Sequence, residues 1–250
     1  MKQAVNRFLV GTLFCLFSLP VLAIEIDGMF KVSGANDSAT YKITNSGDSR
    51  IYLNAVVQEL EVDGKTINKI HYDRNNLEQW KATVTPSQMV LGPGFEGRFQ
   101  VQYDCEKCDP DTERVFQISF IPSPYFENGK EEQHRVGVSV GFAALFVKYS
   151  GVDDINYAAS LDGQDMTIIN HGQSFIQVGV QYCNSNDAPS QVKKCDMEVS
   201  VLAGRELTFK LPLLAEVVRL DIKSAKKQIE KSALVRNRSP QGRKPNGGRL

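Results

Sequence analysis

The stretch Val136-Gly-Val-Ser-Val-Gly-Phe142-Ala-Ala-Leu-Phe-Val-Lys148 decides the fold class, because its apolar residues recur at every second position. In an extended chain Val136, Val138, Val140 and Phe142 share one face. The pattern predicts a long strand from Arg135 to Lys148, one that could be lent to a partner. Upstream, Met89 to Leu91, the turn Gly92-Pro-Gly94, Arg98 to Tyr103 and Arg114 to Ile121 continue the β pattern. Earlier still, Ala39 to Thr44 alternates, Asn45-Ser-Gly-Asp48 marks a turn, and Arg50 to Val57 resumes. Glu59 to Val62 and Lys65 to Ile70 flank Asp63-Gly64, a favoured two-residue hairpin turn. Seven or so short strands with turns about every ten residues predict a sandwich.

After Lys148 the same style repeats at smaller size. Asn156 to Leu161, Asp165 to Ile169, Gln173 to Tyr182, Met197 to Leu202, Glu206 to Leu211 and Val217 to Ile222 are candidate strands. The Ser-Gly turn within Lys148 to Asp154 is the expected boundary between two domains. Expected segments are 1–23 as a signal peptide, 24–150 and 151–222 as two β domains, and 223–250 as a basic, disordered tail.

Lys2 and Arg7 precede an apolar run from Phe8 to Leu22 that ends Val21-Leu22-Ala23, the order of a cleavable secretory signal. The run is too short to span a bilayer, so no integral membrane segment is expected after cleavage. Removal of 1–23 leaves about 227 residues, suited to two domains of about 100–125 each. With 42% hydrophobic and 23% charged residues there is material for ordinary cores.

Cleavage also removes Cys15, leaving Cys105, Cys108, Cys183 and Cys195 in a chain bound for an oxidising compartment. Two local disulfides, Cys105–Cys108 and Cys183–Cys195, are the natural reading. A zinc site is the sharper alternative, yet its second half lacks Cys-x-x-Cys spacing. A thioredoxin-like role for Cys105/Cys108 conflicts with their place after a strand.

The formal net charge is zero but unevenly spread: Asp221 to Leu250 carries nine Lys/Arg against two acids. That end has no aromatic residue for base stacking, so a nucleic-acid role would rest on charge alone. A solvated appendage is the simpler reading, with acidic partner surfaces or membrane lipid as the alternative. His71, His134 and His171 form no ligand pair or base–nucleophile arrangement. No nucleophile elbow or phosphate loop occurs, and the pairs Glu25/Asp27, Glu59/Glu61 and Glu131/Glu132 read as solvated charges. Catalysis, cofactors and metals are therefore not expected.

Val84-Thr-Pro-Ser-Gln-Met-Val-Leu-Gly-Pro-Gly94, Glu113-Arg-Val-Phe-Gln-Ile-Ser-Phe-Ile-Pro122 and the strand ending Leu145-Phe-Val-Lys148 together resemble the first domain of the PapD-like periplasmic pilus-assembly chaperones. The Phe142-Ala-Ala-Leu145 ending and the spaced pair Cys183/Cys195 are most similar to the alternate branch of that family. The resemblance implies an all-β chain of two immunoglobulin-like β-sandwich domains set at an angle, with a subunit-binding cleft between them. It implies a periplasmic location, with fimbrial subunits and an outer-membrane usher as partners. The implied mechanism is strand addition, in which Val136, Val138, Val140 and Phe142 fill a groove in the subunit. Family members also grip the subunit's terminal carboxylate with an arginine and a lysine. Alignment leaves Met29 and Ala144 at those positions, so Lys31 and Lys148 are the nearby candidates, although Lys148 falls better on a family arginine at the domain junction. A secreted immunoglobulin-like structural or adhesive module of a surface fibre is the competing class. Such a subunit needs a free N-terminal donor segment, and only a short stretch here precedes the first strand-like run.

Overall fold

The computed structural model describes residues 21–22, 24–126, 138–183 and 195–239. Its first domain contains β1 (Val21–Leu22), β2 (Ile24–Ile26), β3 (Phe30–Val32), β4 (Ser38–Asn45), β5 (Ile51–Asp63), β6 (Thr66–His71), β7 (Ala82–Thr85), β8 (Gln88–Leu91), β9 (Glu96–Tyr103), β10 (Arg114–Pro124), β11 (Val138–Ser139) and β12 (Phe142–Lys148). The second contains β13 (Tyr157–Asp162), β14 (Asp165–Asn170), β15 (Ile176–Gln181), β16 (Asp196–Val201), β17 (Glu206–Lys210), β18 (Val217–Lys223) and β19 (Glu230–Arg236). Each domain is an immunoglobulin-like sandwich of two sheets. One sheet of the first runs β3-β12-β10-β5-β6, with β8 also on β5, and faces β2-β4-β9-β7. In the second, β13-β14-β17 faces β16-β15-β18-β19.

Alternation explains the packing. Along β5, Ile51, Leu53, Ala55 and Val57 are buried, whereas Tyr52 and Val56 are exposed. Phe99 on β9, Phe116 and Phe120 on β10 and Phe146 on β12 meet them in the first core. The rings of Tyr41 and Phe99 lie 5.5 Å and 5.3 Å from that of Phe120. A separate core holds Leu161, Met166, Ile168, Val178, Val180 and Leu220 in the second domain. The cysteines pair as Cys105–Cys108 and Cys183–Cys195. Among the described residues no helix is long and apolar enough to cross a membrane.

Several expectations need correction. The runs Arg50 to Val57 and Glu59 to Val62 are parts of one thirteen-residue strand, β5. Its alternation slips where Glu59 and Leu60 are both buried, which made one strand look like two. The predicted strand from Arg135 to Lys148 is interrupted at Val140 and Gly141, and residues 135–137 lie outside the described residues. At Gly141 a Cβ atom would sit 2.5 Å from the carbonyl oxygen of Phe120, so the chain passes too close to β10 to carry a side chain. The tail expected from residue 223 is ordered as far as β19, which pairs with β18 along its whole length. Only Ala233 and Val235 of β19 turn partly inward, so its charged residues hid the alternation. This polar edge also discourages pairing with other sheets. Residues 240–250 lie outside the described residues.

Residues 24–32 are built into both sheets of the first domain. Strand β2 pairs antiparallel with β4, and β3 crosses to the other sheet to pair parallel with β12. Neither segment is a free donor arm.

Phe120→Ala is expected to lower the unfolding free energy by about 3–5 kcal/mol, because the cavity would open between Tyr41 and Phe99. Chemical denaturation should show the loss as a lower midpoint at unchanged slope.

Candidate functional site: a strand edge and an interdomain cleft

Strand β12 has one edge paired to β10, from Phe142 opposite Phe120 to Lys148 opposite Arg114. Its even-numbered residues face the first core: Phe142 is half-buried against it, and Ala144 and Phe146 are fully buried. On its outer edge, β3 covers only Leu145 to Val147. There the Leu145 N–H donates to the Met29 carbonyl at 2.8 Å, and the Ser33 N–H donates to the Val147 carbonyl at 2.8 Å. Phe142 to Ala144 have no strand on that side among the described residues. Beyond the Gly141 interruption, β11 pairs in parallel with Val21–Leu22.

The four residues expected on one donated face are therefore placed differently from one another. Val136 lies outside the described residues. Val138 lies on β11, Val140 is 54% exposed, and Phe142 turns towards its own domain's core.

Both candidate carboxylate anchors already have partners. The Lys31 ammonium donates to Asp27 Oδ2 and to the Thr40 carbonyl, each at 2.6 Å, and lies 4.9 Å from the centre of the Tyr41 ring. Lys148 is buried, donates to the Pro110 carbonyl, and lies 5.7 Å from the centre of the Tyr103 ring. The two cations thus serve different surroundings.

The domain junction has an apolar floor and acidic walls. Leu60, Val115 and Val147 from the first domain pack with Phe175 and Leu202 from the second. Beside them opens a cleft of about 670 Å³, whose lining residues include Glu59, Glu61, Asp63, Asp109, Asp111, Glu113 and Arg114. Glu59 is 2% exposed, which corrects its reading as a solvated charge. Its carboxylate accepts from Lys81 Nζ at 2.8 Å, Arg114 Nη1 at 3.1 Å and the Tyr72 hydroxyl at 3.3 Å. The Tyr72 and Trp80 rings stack at 5.5 Å.

Two contacts tie the domains together through polar groups. Glu113 accepts from the Phe175 N–H at 2.7 Å and the Ala203 N–H at 3.1 Å. Burial pushes its carboxyl up to about 7, outweighing the two backbone donors, which act in the opposite direction. The tip of the β5–β6 hairpin forms the second tie: the Glu206 N–H donates to the Gly64 carbonyl at 2.9 Å, and Lys65 pairs with Glu206 at 3.1 Å. Sequence reasoning missed Glu113 at the junction and the Glu59–Lys81–Arg114 cluster within the first domain. A carboxylate directly beside an apolar alternation was the available signal in both Glu59 and Glu113. Among the described residues no His/Cys/Asp/Glu group is arranged to hold a metal ion.

Residues 26–148 match the family described as the CS5 fimbrial protein N-terminal domain. No curated protein matches the chain in sequence. The fold is shared with the class 5 fimbriae chaperone CfaA at 16% identity and a TM-score of 0.52, over 85% of this chain and 99% of that one. A chain from the Salmonella enterica SafA pilin–SafB chaperone complex aligns at 10% identity and a TM-score of 0.57, over 87% and 99%. One from the Acinetobacter baumannii CsuC–CsuE complex of chaperone and tip adhesion subunit aligns at 11% and 0.55, over 86% and 99%. Neither the matched family nor these neighbours are enzymes.

Removing Glu59 would strand two partly buried cations. Glu59→Ala is expected to cost about 3–5 kcal/mol, whereas Glu96→Ala, which breaks the exposed pair with Arg98, should cost less than about 1 kcal/mol. Parallel urea titrations of the two variants check the contrast.

Proposed function

We propose that this chain, whose residues 26–148 belong to the CS5 fimbrial protein N-terminal domain family and which as a whole has the fold of the PapD-like pilus chaperones, is a periplasmic chaperone that binds fimbrial subunits by strand addition and delivers them to an outer-membrane usher. The observation that carries this reading is the outer edge of β12. Among the described residues its backbone is left without a strand from Phe142 to Ala144, and the segment that follows, Leu145 to Val147, is paired in parallel with β3. A client strand running parallel to β12 would continue the same ladder.

In this reading the side-chain roles divide at Gly141. Phe142, seated against the chaperone's own core, roots the strand. Val140, already exposed, is offered to the client together with Val138 and Val136. Each such side chain buried in a client groove contributes about 1.5–3 kcal/mol gross, from which the ordering cost of association is subtracted. A client carboxylate reaches Lys31 only by exchange with Asp27, and Lys148 only by its release from Pro110. Strand pairing, rather than carboxylate capture, therefore supplies the main hold. Signal-like residues 1–23 support the envelope location, and mass spectrometry of envelope-extracted protein should find Ile24 as the first residue.

Val140→Asp tests the donated strand. It should leave the thermal melt unchanged while abolishing co-purification of the fimbrial subunit, because an unpaired carboxylate cannot enter an apolar groove. Phe142→Asp should instead lower the melting temperature of the isolated chain. Undiminished co-purification with Val140→Asp, or unfolding of that variant, would sink the assignment.

A further inference from the structure

Lys148, the last residue of β12, is only 4% exposed, and everything that holds its ammonium comes from one short stretch of chain. It donates to the Pro110 carbonyl and lies over the Tyr103 ring. Asp109 acts on it electrostatically from the same stretch. Among the described residues no carboxylate pairs with it directly. Tyr103 ends β9, and Asp109 and Pro110 lie in the loop that leads to β10. That loop is closed on itself by the Cys105–Cys108 disulfide. We infer that Cys105–Cys108 is a thiol–disulfide exchange site for a dithiol reductant, and that its cleavage unseals Lys148 at the foot of β12.

The way the loop is attached makes the disulfide decisive. Its own hydrogen bonds are local: the Cys108 N–H donates to the Cys105 carbonyl at 3.3 Å, and the Asp111 N–H and Thr112 hydroxyl donate to Asp109 at 3.0 Å and 2.8 Å. They shape the turns without fastening them to the sandwich. At one end the Asp104 N–H donates to the Lys81 carbonyl at 2.8 Å, and at the other Glu113 reaches the second domain. Between those ends the loop is held by Cys105 and Cys108, which pack against the first core, and by the Lys148–Pro110 contact. An ammonium buried against a neutral acceptor has lost its hydration, so that contact adds little closing force of its own. Closing a ring of cysteines three positions apart removes open loop conformations on the order of 20-fold. The covalent bond is therefore what keeps Pro110 over Lys148.

Access separates this disulfide from the other one. Glu106 and Lys107, between its cysteines, are exposed, and Cys105 and Cys108 are each partly exposed. Cys195 is 3% exposed inside the second core, and Cys183 packs against that core. A thiolate of the reductant attacks one sulfur of the Cys105–Cys108 pair, breaking the S–S bond and forming a mixed disulfide. The reductant's second thiol then displaces the cysteine. Two electrons and two protons pass to the chain, leaving two cysteine thiols and the reductant as its own disulfide. Once the ring is open, the loop swings from Lys148 and water rehydrates the ammonium. The change falls one residue beyond Val147, which packs in the interdomain cluster.

Two measurements on the full mature chain test the inference. In the first, the oxidised protein is treated with dithiothreitol and alkylated at intervals, and the modified cysteines are mapped by mass spectrometry. Cys105 and Cys108 should be trapped well before Cys183 and Cys195. In the second, an amine-reactive ester reads the access of water to each lysine, with Lys65, whose side chain is 73% exposed, as the reference. Lys148 should label slowly in the oxidised chain and on the order of 20-fold faster in the Cys105→Ser, Cys108→Ser double variant, while Lys65 stays unchanged. Amide-exchange protection of Ile118, buried in the first core, should be the same in both proteins. Simultaneous reduction of the two disulfides, an unchanged Lys148 rate, or a loss of Ile118 protection that accompanies the faster labelling would overturn the inference. If the double variant does not fold, Lys148 labelling of the unmodified chain at the stage where only Cys105 and Cys108 are reduced decides instead. No subunit is present in either measurement, so the outcome is separate from that of the chaperone reading.

Discussion

Strand β10 is hydrogen-bonded along both edges, to β5 on one side and to β12 on the other, so it cannot shift without breaking two ladders. Its two faces do different work. Phe116, Ile118 and Phe120 point into the first core, while Val115 joins the apolar cluster under the second domain. Glu113 and Arg114 at its start reach the junction. The open edge of β12 is one strand away, and the tie to the second domain is one residue away. A fixed β10 therefore couples the position of the open edge to the position of the neighbouring sandwich.

The junction combines two kinds of contact with different tolerances. The apolar cluster of Leu60, Val115, Val147, Phe175 and Leu202 gives area but little direction. Direction comes from the carboxylates. Glu113 aims at two backbone donors of the second domain, whereas Glu59 fixes Lys81 and Arg114 within the first. Burying these charges is costly, and the return is a defined geometry rather than a large gain in stability.

Alternation made most of the strands legible, and β4, β9, β10 and β14 cover the expected runs Ala39 to Thr44, Arg98 to Tyr103, Arg114 to Ile121 and Asp165 to Ile169. The sandwich class followed from strand number and turn spacing. What stayed hidden depended on contacts between distant residues. Glu59 reads as a surface charge until Lys81 and Arg114 are brought beside it from 22 and 55 positions away. Gly141 breaks an otherwise perfect two-residue pattern only because the Phe120 carbonyl lies where its side chain would be. Phe142 shares the spacing of Val140 but not its surroundings, since periodicity cannot register such an interruption. At the C-terminal end, the charges of β19 outweighed its two inward residues, and an edge strand was taken for a solvated tail.

Strand β5 also has a mechanical consequence. It is paired with β10 over ten residues, from Leu60 opposite Val115 to Ile51 opposite Pro124, and its hairpin tip holds Glu206 of the second domain through Gly64. A pull on the second domain directed along β5 would load that ladder lengthwise. All its hydrogen bonds would then share the force, whereas a sideways pull would break them one at a time. The hairpin thus makes the molecule stiff along the strand and more compliant across it.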